Sequence, residues 1–218
     1  KKIRRDYRDA AGNKLPGVTT ILGDNLGWSK NGLIGWAHKL GREGRSLNER
    51  DKAADKGTAT HALAWRLLGY DDGTPVSAED EREHMPNALR VVERIKAEGW
   101  EIIACEEALT VDFGGGLGCG GTIDLVVRCA KRGGCGIVDL KSGKGIFPEV
   151  AIQLGAYRTM WNQQANLQHQ ADWAAVIHAH PGEALDVVDI PRESLDAGSF
   201  VFSHLLAIQS VRSKVRVR

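Results

Sequence analysis

The sequence has no long apolar run, little net charge and no closely spaced cysteine pair. No run approaches the roughly 20 apolar residues of a transmembrane helix. The formal net charge of +1 over 218 residues gives no overall field that would attract nucleic acid. The four cysteines lack the C-x-x-C spacing of a zinc ribbon, so we expect reduced thiols. A bridge between Cys129 and Cys135 is the alternative in an oxidising compartment.

The composition is that of an ordinary globular protein, with 42% hydrophobic and 26% charged residues. Its length favours one domain, residues 1–218. Basic residues cluster near both ends, in KKIRR and RSKVRVR, and solvated tails explain these clusters as well as nucleic-acid binding does. Because KKIRR is not followed by the apolar segment of a signal peptide, we expect a cytoplasmic protein.

The period of the apolar residues changes near Gly99. Before it, helical spacing predicts helices at 18–24, 33–44, 48–68 and 77–98. After it, alternating or short apolar runs predict strands at 100–111, 121–128, 136–141, 173–180 and 184–190, with helices at 148–168 and 195–211. This order predicts an α/β or α+β fold with a central mixed sheet in residues 99–190. A mainly helical part (1–98) precedes the sheet, and a C-terminal helix with a basic tail (191–218) follows it.

Two predicted strands, GTIDLVVR and GIVDLK, each carry an aspartate inside an apolar run. Side chains alternate along a strand, so Asp139 and Lys141 share a face, roughly 6 to 7 Å apart. If the connecting loop runs from Arg128 to Cys135, Asp124 and Asp139 become cross-strand neighbours on one face. A turn centred on Gly133 and Gly134 would shift that register.

Two adjacent carboxylates in a half-buried sheet repel each other and lose hydration. A hard divalent cation, Mg²⁺ or Mn²⁺, would satisfy both carboxylates with oxygen ligands. Such a cation beside Lys141 would serve to activate and hold a water. The alternative is an exposed Asp–Lys salt bridge, with Asp124 making a turn contact.

Six elements, in this order, resemble the PD-(D/E)XK nuclease superfamily, in particular its RecB-like branch of phage lambda-type exonucleases and CRISPR-associated nucleases. They are LPGVTTIL (15–22), GTATHALA (57–64), CEEAL (105–109), GGTIDLVV (120–127), IVDLKSGK (137–144) and QLGAY (153–157). The resemblance implies a restriction-endonuclease-like core with helices flanking the sheet. It also implies metal-dependent hydrolysis of phosphodiester bonds in DNA.

The resemblance also implies roles for individual residues. Asp124, Asp139 and Lys141 would be catalytic, and the metal ligands would be His61, Asp124, Asp139 and the backbone carbonyl of Leu140. Gln153 and Tyr157 would lie on one helix face and support Lys141 or the DNA. An additional acid would be Glu106, with Glu107 as the alternative; strand alternation puts these two on opposite faces, so only one can serve. Trp65 stands where related helices often carry an acid.

The function expected from this resemblance is an exonuclease of DNA recombination or repair, or of phage DNA processing in a host cytoplasm. The alternatives are a structure-specific or site-specific endonuclease and an inactive DNA-binding or scaffold protein. A single-strand annealing or recombination protein is the partner class that phage relatives suggest. Some relatives hold an iron–sulfur cluster with cysteines near both ends of the domain; this sequence has none there, so no cluster is expected.

Overall fold

The structure is a computed structural model that describes residues 5–27, 34–35, 37–39, 41–44, 48–71, 73–143, 145–180, 182 and 184–215, with backbone alone at 48–56 and 213. Its helices are α1 (Val18–Asn25), α2 (Asn48–Leu67), α3 (Ala78–Glu98), α4 (Glu149–Gln164) and α5 (Arg192–Val211). Its strands are β1 (Glu101–Asp112), β2 (Gly118–Arg128), β3 (Cys135–Lys141), β4 (Ala171–His178) and β5 (Asp186–Ile190). The helix predicted at 33–44 lies partly outside the described residues, as do Lys144 and the last three residues of the basic tail.

The five strands form one mixed sheet in the order β1-β2-β3-β4-β5. Only β3 and β4 are parallel; the other neighbours are antiparallel. The crossover between the parallel pair is α4, which satisfies the need of parallel strands for a long connection. The predicted fold, a mixed sheet flanked by helices, is confirmed.

Both faces of the sheet are covered, by different helices. One apolar cluster joins α1, α4 and α5 to strand residues such as Val126 and Ile137. The other joins α2 and α3 to strand residues such as Val138 and Leu140. Because β3 has core on both sides, its strand is almost uniformly buried, as GIVDLK suggests.

The helices begin and end at residues that cap or interrupt them. The hydroxyl of Ser77 accepts a hydrogen bond from the Asp80 N–H at the start of α3, and Gly99, with φ of +68°, ends that helix in the left-handed conformation. The helix predicted at 148–168 ends earlier, at Gln164, because Asn166 caps a separate 3₁₀ turn at Leu167–His169. The final helix begins three residues before the predicted position, directly after Pro191.

All four cysteines are free thiols, and Cys119, Cys129 and Cys135 are buried. Burial raises the pKa of Cys119 to about 12, which keeps this thiol protonated. Cys129 and Cys135 are not joined in this structure, and the reduced state of the thiols stays a prediction.

The residues before α1 form a small N-terminal hairpin, defined here as residues 5–17. The Leu15 N–H donates to the Tyr7 carbonyl at 2.8 Å, and the Asp9 N–H donates to the Asn13 carbonyl at 2.9 Å. The Asp9 carboxylate accepts bonds from the backbone and the side chain of Asn13, which closes the turn. At the end of the hairpin, Gly17 bridges to β2. No helix in the described part of the chain is both long and apolar enough to cross a membrane.

Candidate active site

The two aspartates lie where β2 and β3 part. The ladder pairs Leu125 with Val138 and continues to the loop in the register expected for a loop from Arg128 to Cys135, rather than in the shifted alternative. It stops one residue short of Asp124 and Asp139. Asp124 instead accepts a hydrogen bond from the Leu140 backbone N–H at 2.9 Å, through its side-chain oxygen Oδ2. The end of the ladder thus leaves room for two carboxylates between the strands.

Asp139 is almost fully buried, at 3% exposure. Its Oδ2 lies 2.7 Å from the Lys141 ammonium. Burial is the largest influence on Asp139 and raises the pKa of its carboxyl; the nearby Asp124 also raises it, while Lys141 lowers it. The net direction is upward, so one lysine does not compensate for the burial of this carboxylate.

Gln153 and Tyr157 of α4 join the same network, one helical turn apart as expected. The Lys141 ammonium donates to Gln153 Oε1 at 3.3 Å. The Gln153 amide N–H reaches Asp139 Oδ1 at 3.5 Å and Tyr157 Oη at 3.3 Å. Burial raises the pKa of Tyr157 well above its usual range, so its phenol keeps its proton and can donate a hydrogen bond.

His61 reaches the site from α2, on the opposite side of the sheet from α4. Its Nε2 lies 2.8 Å from the Leu140 carbonyl oxygen. A carbonyl can only accept, so Nε2 carries the proton and Nδ1 has the lone pair when the ring is neutral. Nδ1 lies 3.6 Å from Asp124 Oδ2. This tautomer is the one a metal-binding histidine adopts when its other nitrogen is hydrogen-bonded.

Glu106 is the buried acid of the CEEAL element, and Glu107 is exposed. Strand alternation predicted that only one of them could face the site, and the structure puts Glu106 there. The indole N–H of Trp65 donates to Glu106 Oε1 at 3.0 Å. Glu106 has a φ of +50°, a left-handed conformation that costs a non-glycine residue free energy and tends to occur at functional sites.

The donor set fits a hard divalent cation. One ligand atom from each of His61, Glu106 and Asp124 lies within 4.8 Å of the other two. With Asp139, the site contains three buried carboxylates, and oxygen ligands of this kind are what Mg²⁺ and Mn²⁺ prefer. The structure therefore brings together every predicted site residue; their individual roles remain predictions.

The site opens into a cleft of about 610 Å³. Six of the predicted residues line it, and so does the N-terminal hairpin, notably with Arg5, Asp6, Tyr7 and Lys14. The six are His61, Asp124, Asp139, Lys141, Gln153 and Tyr157. This wall was not predicted from the sequence. The only local signal was the turn composition of DAAGN, which predicts a hairpin but does not say where the hairpin packs.

The chain belongs to the PD-(D/E)XK nuclease superfamily, whose sequence model matches residues 35–196. Membership makes the protein a nuclease of a superfamily that uses divalent metals, on a restriction-endonuclease-like fold. The matched range covers most of the chain but begins after the N-terminal hairpin.

Two solved structures match this chain over most of its length, with low TM-scores. A protein from Eubacterium rectale, provisionally named an exonuclease, has a TM-score of 0.46 and 13% identity, over 81% of this chain and 74% of that one. A protein named SSO0001 has a TM-score of 0.35 and 17% identity, over 73% of this chain and 77% of that one. A search of curated proteins found no match. The family assignment therefore comes from the sequence match.

Proposed function

We propose that this protein is a divalent-metal-dependent deoxyribonuclease that degrades DNA from an end. The observation that carries the proposal is the excess of buried carboxylates: Asp124 and Asp139 lie beside Lys141 in an open cleft, and Glu106 has a ligand atom within 4.8 Å of one on Asp124. The end-degrading mode rests on the resemblance of six ordered sequence elements to the RecB-like branch. Recombination, repair or phage DNA processing, in the cytoplasm and beside a single-strand annealing protein, is the setting that this resemblance suggests.

Asp124, Asp139 and the Leu140 carbonyl would hold the cation, Mg²⁺ or Mn²⁺, with His61 and Glu106 as further ligands. When bound, the cation would supply positive charge that neutralises the scissile phosphate and acidifies a water. The protein itself would hold these ligand side chains in position before the substrate binds. The contact of Leu140 N–H with Asp124 and that of His61 with the Leu140 carbonyl do this from two sides of one residue.

Lys141 would hold the attacking water and stabilise charge on the phosphate. Its ammonium has three donors, and contacts to Asp139 and Gln153 fix its position in the cleft. In the reaction, the water oxygen bonds to phosphorus and loses one proton to solvent, the bond to the leaving sugar oxygen breaks, and that oxygen takes up a proton from solvent. Gln153 and Tyr157 would act through Lys141, as positioning residues.

The test is a time course on end-labelled linear duplex DNA and on closed circular DNA, with Mg²⁺, with Mn²⁺ and with chelator. We expect metal-dependent loss of the linear substrate alone. Asp124→Asn is the matched variant, because its amide oxygen can still accept the Leu140 N–H while one ligand charge is lost. Cutting of circles would make the protein an endonuclease. Metal-independent cleavage, or full activity in Asp124→Asn, would contradict the proposed mechanism, and salt-sensitive binding without degradation would indicate a DNA-binding protein.

A further inference from the structure

One wall of the cleft is built by residues that precede the family match. Arg5, Tyr7 and Lys14 of the N-terminal hairpin line the same cleft as Asp124 and Asp139. The match to the superfamily begins only at residue 35. The family match therefore does not extend to Arg5, Tyr7 or Lys14, which also precede the family-like element LPGVTTIL.

The hairpin is attached to the strand that carries Asp124. The Tyr7 hydroxyl and Thr122 Oγ1 are hydrogen-bonded at 2.8 Å, and Thr122 is two residues from Asp124. The Tyr7 ring lies against the backbone at Gly120, where an added Cβ would be 2.1 Å from the ring carbon Cγ. A side chain at position 120 would displace the ring, so this glycine makes the attachment possible.

A backbone contact holds the hairpin at the same place. The Gly120 N–H donates to the Pro16 carbonyl at 3.0 Å, and Gly17 bridges Gly120 in the parallel sense. This part of β2 has no β3 partner, because the β2–β3 ladder covers only 125–128 on β2. The end of the hairpin therefore occupies the strand edge that opens where the two aspartates lie.

The hairpin brings cations to a cleft whose floor is acidic. Lys14 pairs with Asp6 at 2.9 Å, yet its side chain remains 74% exposed. Asp6 also pairs with Arg8 at 2.6 Å, and the hydrogen bond from Lys14 holds the pKa of Asp6 below its usual range. DNA entering this cleft brings several phosphates, of which the carboxylate site accommodates one. The neighbouring phosphates need positive charge, and Arg5 and Lys14 are placed to supply it.

We propose that the N-terminal hairpin is a DNA-holding wall: Arg5 and Lys14 contact phosphates that flank the scissile one, and Tyr7 fixes the wall to β2. This inference rests on the proposed deoxyribonuclease function. Contacts of this kind position a strand without reading its sequence. They raise affinity and make it depend on salt.

The test compares two double variants that each remove two cations. Arg5→Ala/Lys14→Ala changes the hairpin, and Arg128→Ala/Lys131→Ala changes the loop end of β2, away from the cleft. Fluorescence anisotropy with a short labelled duplex, in chelator so that nothing is cut, gives Kd over a series of salt concentrations. We expect the hairpin variant to bind about 10-fold more weakly and its log–log salt slope to fall by about 2, one unit for each phosphate contact. The control should match the wild type.

Tyr7→Ala is a second variant that keeps both cations but removes the anchor, and it should lose part of the same slope. Circular dichroism melting verifies that each variant folds. Equal slopes in the hairpin variant and the wild type, or equal losses in both double variants, would overturn the inference, and so would an absence of DNA binding by the wild type. The binding assay needs no cleavage, so the two proposals can fail separately. If the wild type degrades DNA with metal and the hairpin variant binds DNA as tightly as the wild type, the inference about the hairpin is wrong and the proposed deoxyribonuclease function is not affected.

Discussion

The two ends of the β2–β3 strand pair both carry charged side chains, but only one end is balanced. At the loop end, Arg132 lies over the rings of Trp100 and Trp173, at 5.7 and 4.8 Å from their centroids. It also pairs with Glu98 at 3.7 Å and with Asp189. Glu98 also pairs with Arg94 at 3.0 Å, so two arginines meet two acids, and two aromatic faces cover Arg132, an arrangement that stabilises the fold.

At the open end, three buried carboxylates face one lysine and one histidine. Burying charge without full compensation lowers stability. The balanced end has the composition of a structural cluster, whereas the unbalanced end has the composition of a site that binds something positive. The difference between a stabilising and a functional cluster is therefore visible in charge balance, on a single pair of strands.

The largest expected effects come from removing one cation at each end: the open end should lose DNA cleavage, and the loop end should lose stability. Lys141→Ala should reduce the rate of DNA cleavage by about 10³-fold, because it removes the group proposed to hold the attacking water. The change also leaves the buried Asp139 carboxylate without its ammonium partner, so the rate of this variant is compared on protein that unfolding curves show to be folded. Arg132→Ala should instead lose about 1 to 2 kcal/mol of unfolding free energy and keep its cleavage rate. Rates under saturating substrate and denaturant unfolding curves measure the two quantities.

The comparison breaks if Lys141→Ala cleaves at the wild-type rate or if Arg132→Ala is folded but inactive. Either result would show that charge balance does not separate the two clusters.

A second test uses tryptophans from both ends. Trp65 donates to Glu106 and makes an edge contact with the His61 ring, at 5.9 Å between centroids. The Trp100 N–H has no acceptor among the described residues. Trp65→Phe keeps an aromatic ring but loses the donor to a proposed ligand, so we expect about 10-fold weaker binding of Mn²⁺. Trp100→Phe should bind Mn²⁺ as the wild type does.

Calorimetric titration of Mn²⁺ measures both affinities, and unfolding curves verify that both variants are intact. Unchanged affinity in Trp65→Phe would remove Glu106 from the proposed ligand set. A loss in both variants would mean that the effect comes from packing.

The sequence predicted those parts of the fold that depend on local periodicity. The alternation in GTIDLVVR and GIVDLK predicted both strands but left their register to depend on the loop, and the structure has the register expected for a loop from Arg128 to Cys135. The spacing of Gln153 and Tyr157 placed both on one helix face, and both reach the cleft. Short-range rules suffice where neighbours along the chain remain neighbours in space.

Other parts of the site depend on long-range contacts. The alternation of side chains along the strand predicted that Glu106 and Glu107 point to opposite faces, but it did not predict which of them faces the site. The left-handed backbone of Glu106 is a conformation that its own residue type disfavours, so no local rule predicts it. The hairpin was missed for a similar reason: Tyr7 packs on Gly120 and Thr122, far along the chain. The basic segment KKIRR ends at Arg5, the first residue of the hairpin. Its composition is that of a solvated tail, so it did not indicate a position at the cleft.

The smallest expected effect concerns stability without metal. Burial raises the pKa of Asp139. The Asp139 carboxyl therefore lowers the free energy of unfolding whenever the pH exceeds the ordinary aspartate pKa. Asp139→Asn should therefore stabilise the metal-free protein by about 1 kcal/mol at neutral pH, a rise of about 2 to 4 °C in melting temperature.

The sign of the pH dependence follows from the raised pKa. Below the ordinary aspartate pKa the carboxyl is protonated in both states, so the variant gains nothing. The gain grows as the pH rises towards the folded-state pKa and is constant above it. Glu98→Gln, at the balanced end, should show no gain, because its charge is paired with Arg132. Thermal melts in chelator over a pH series measure both variants. If Asp139→Asn were less stable than the wild type at neutral pH, the pair with Lys141 would outweigh burial, and the two ends would not differ in the way proposed.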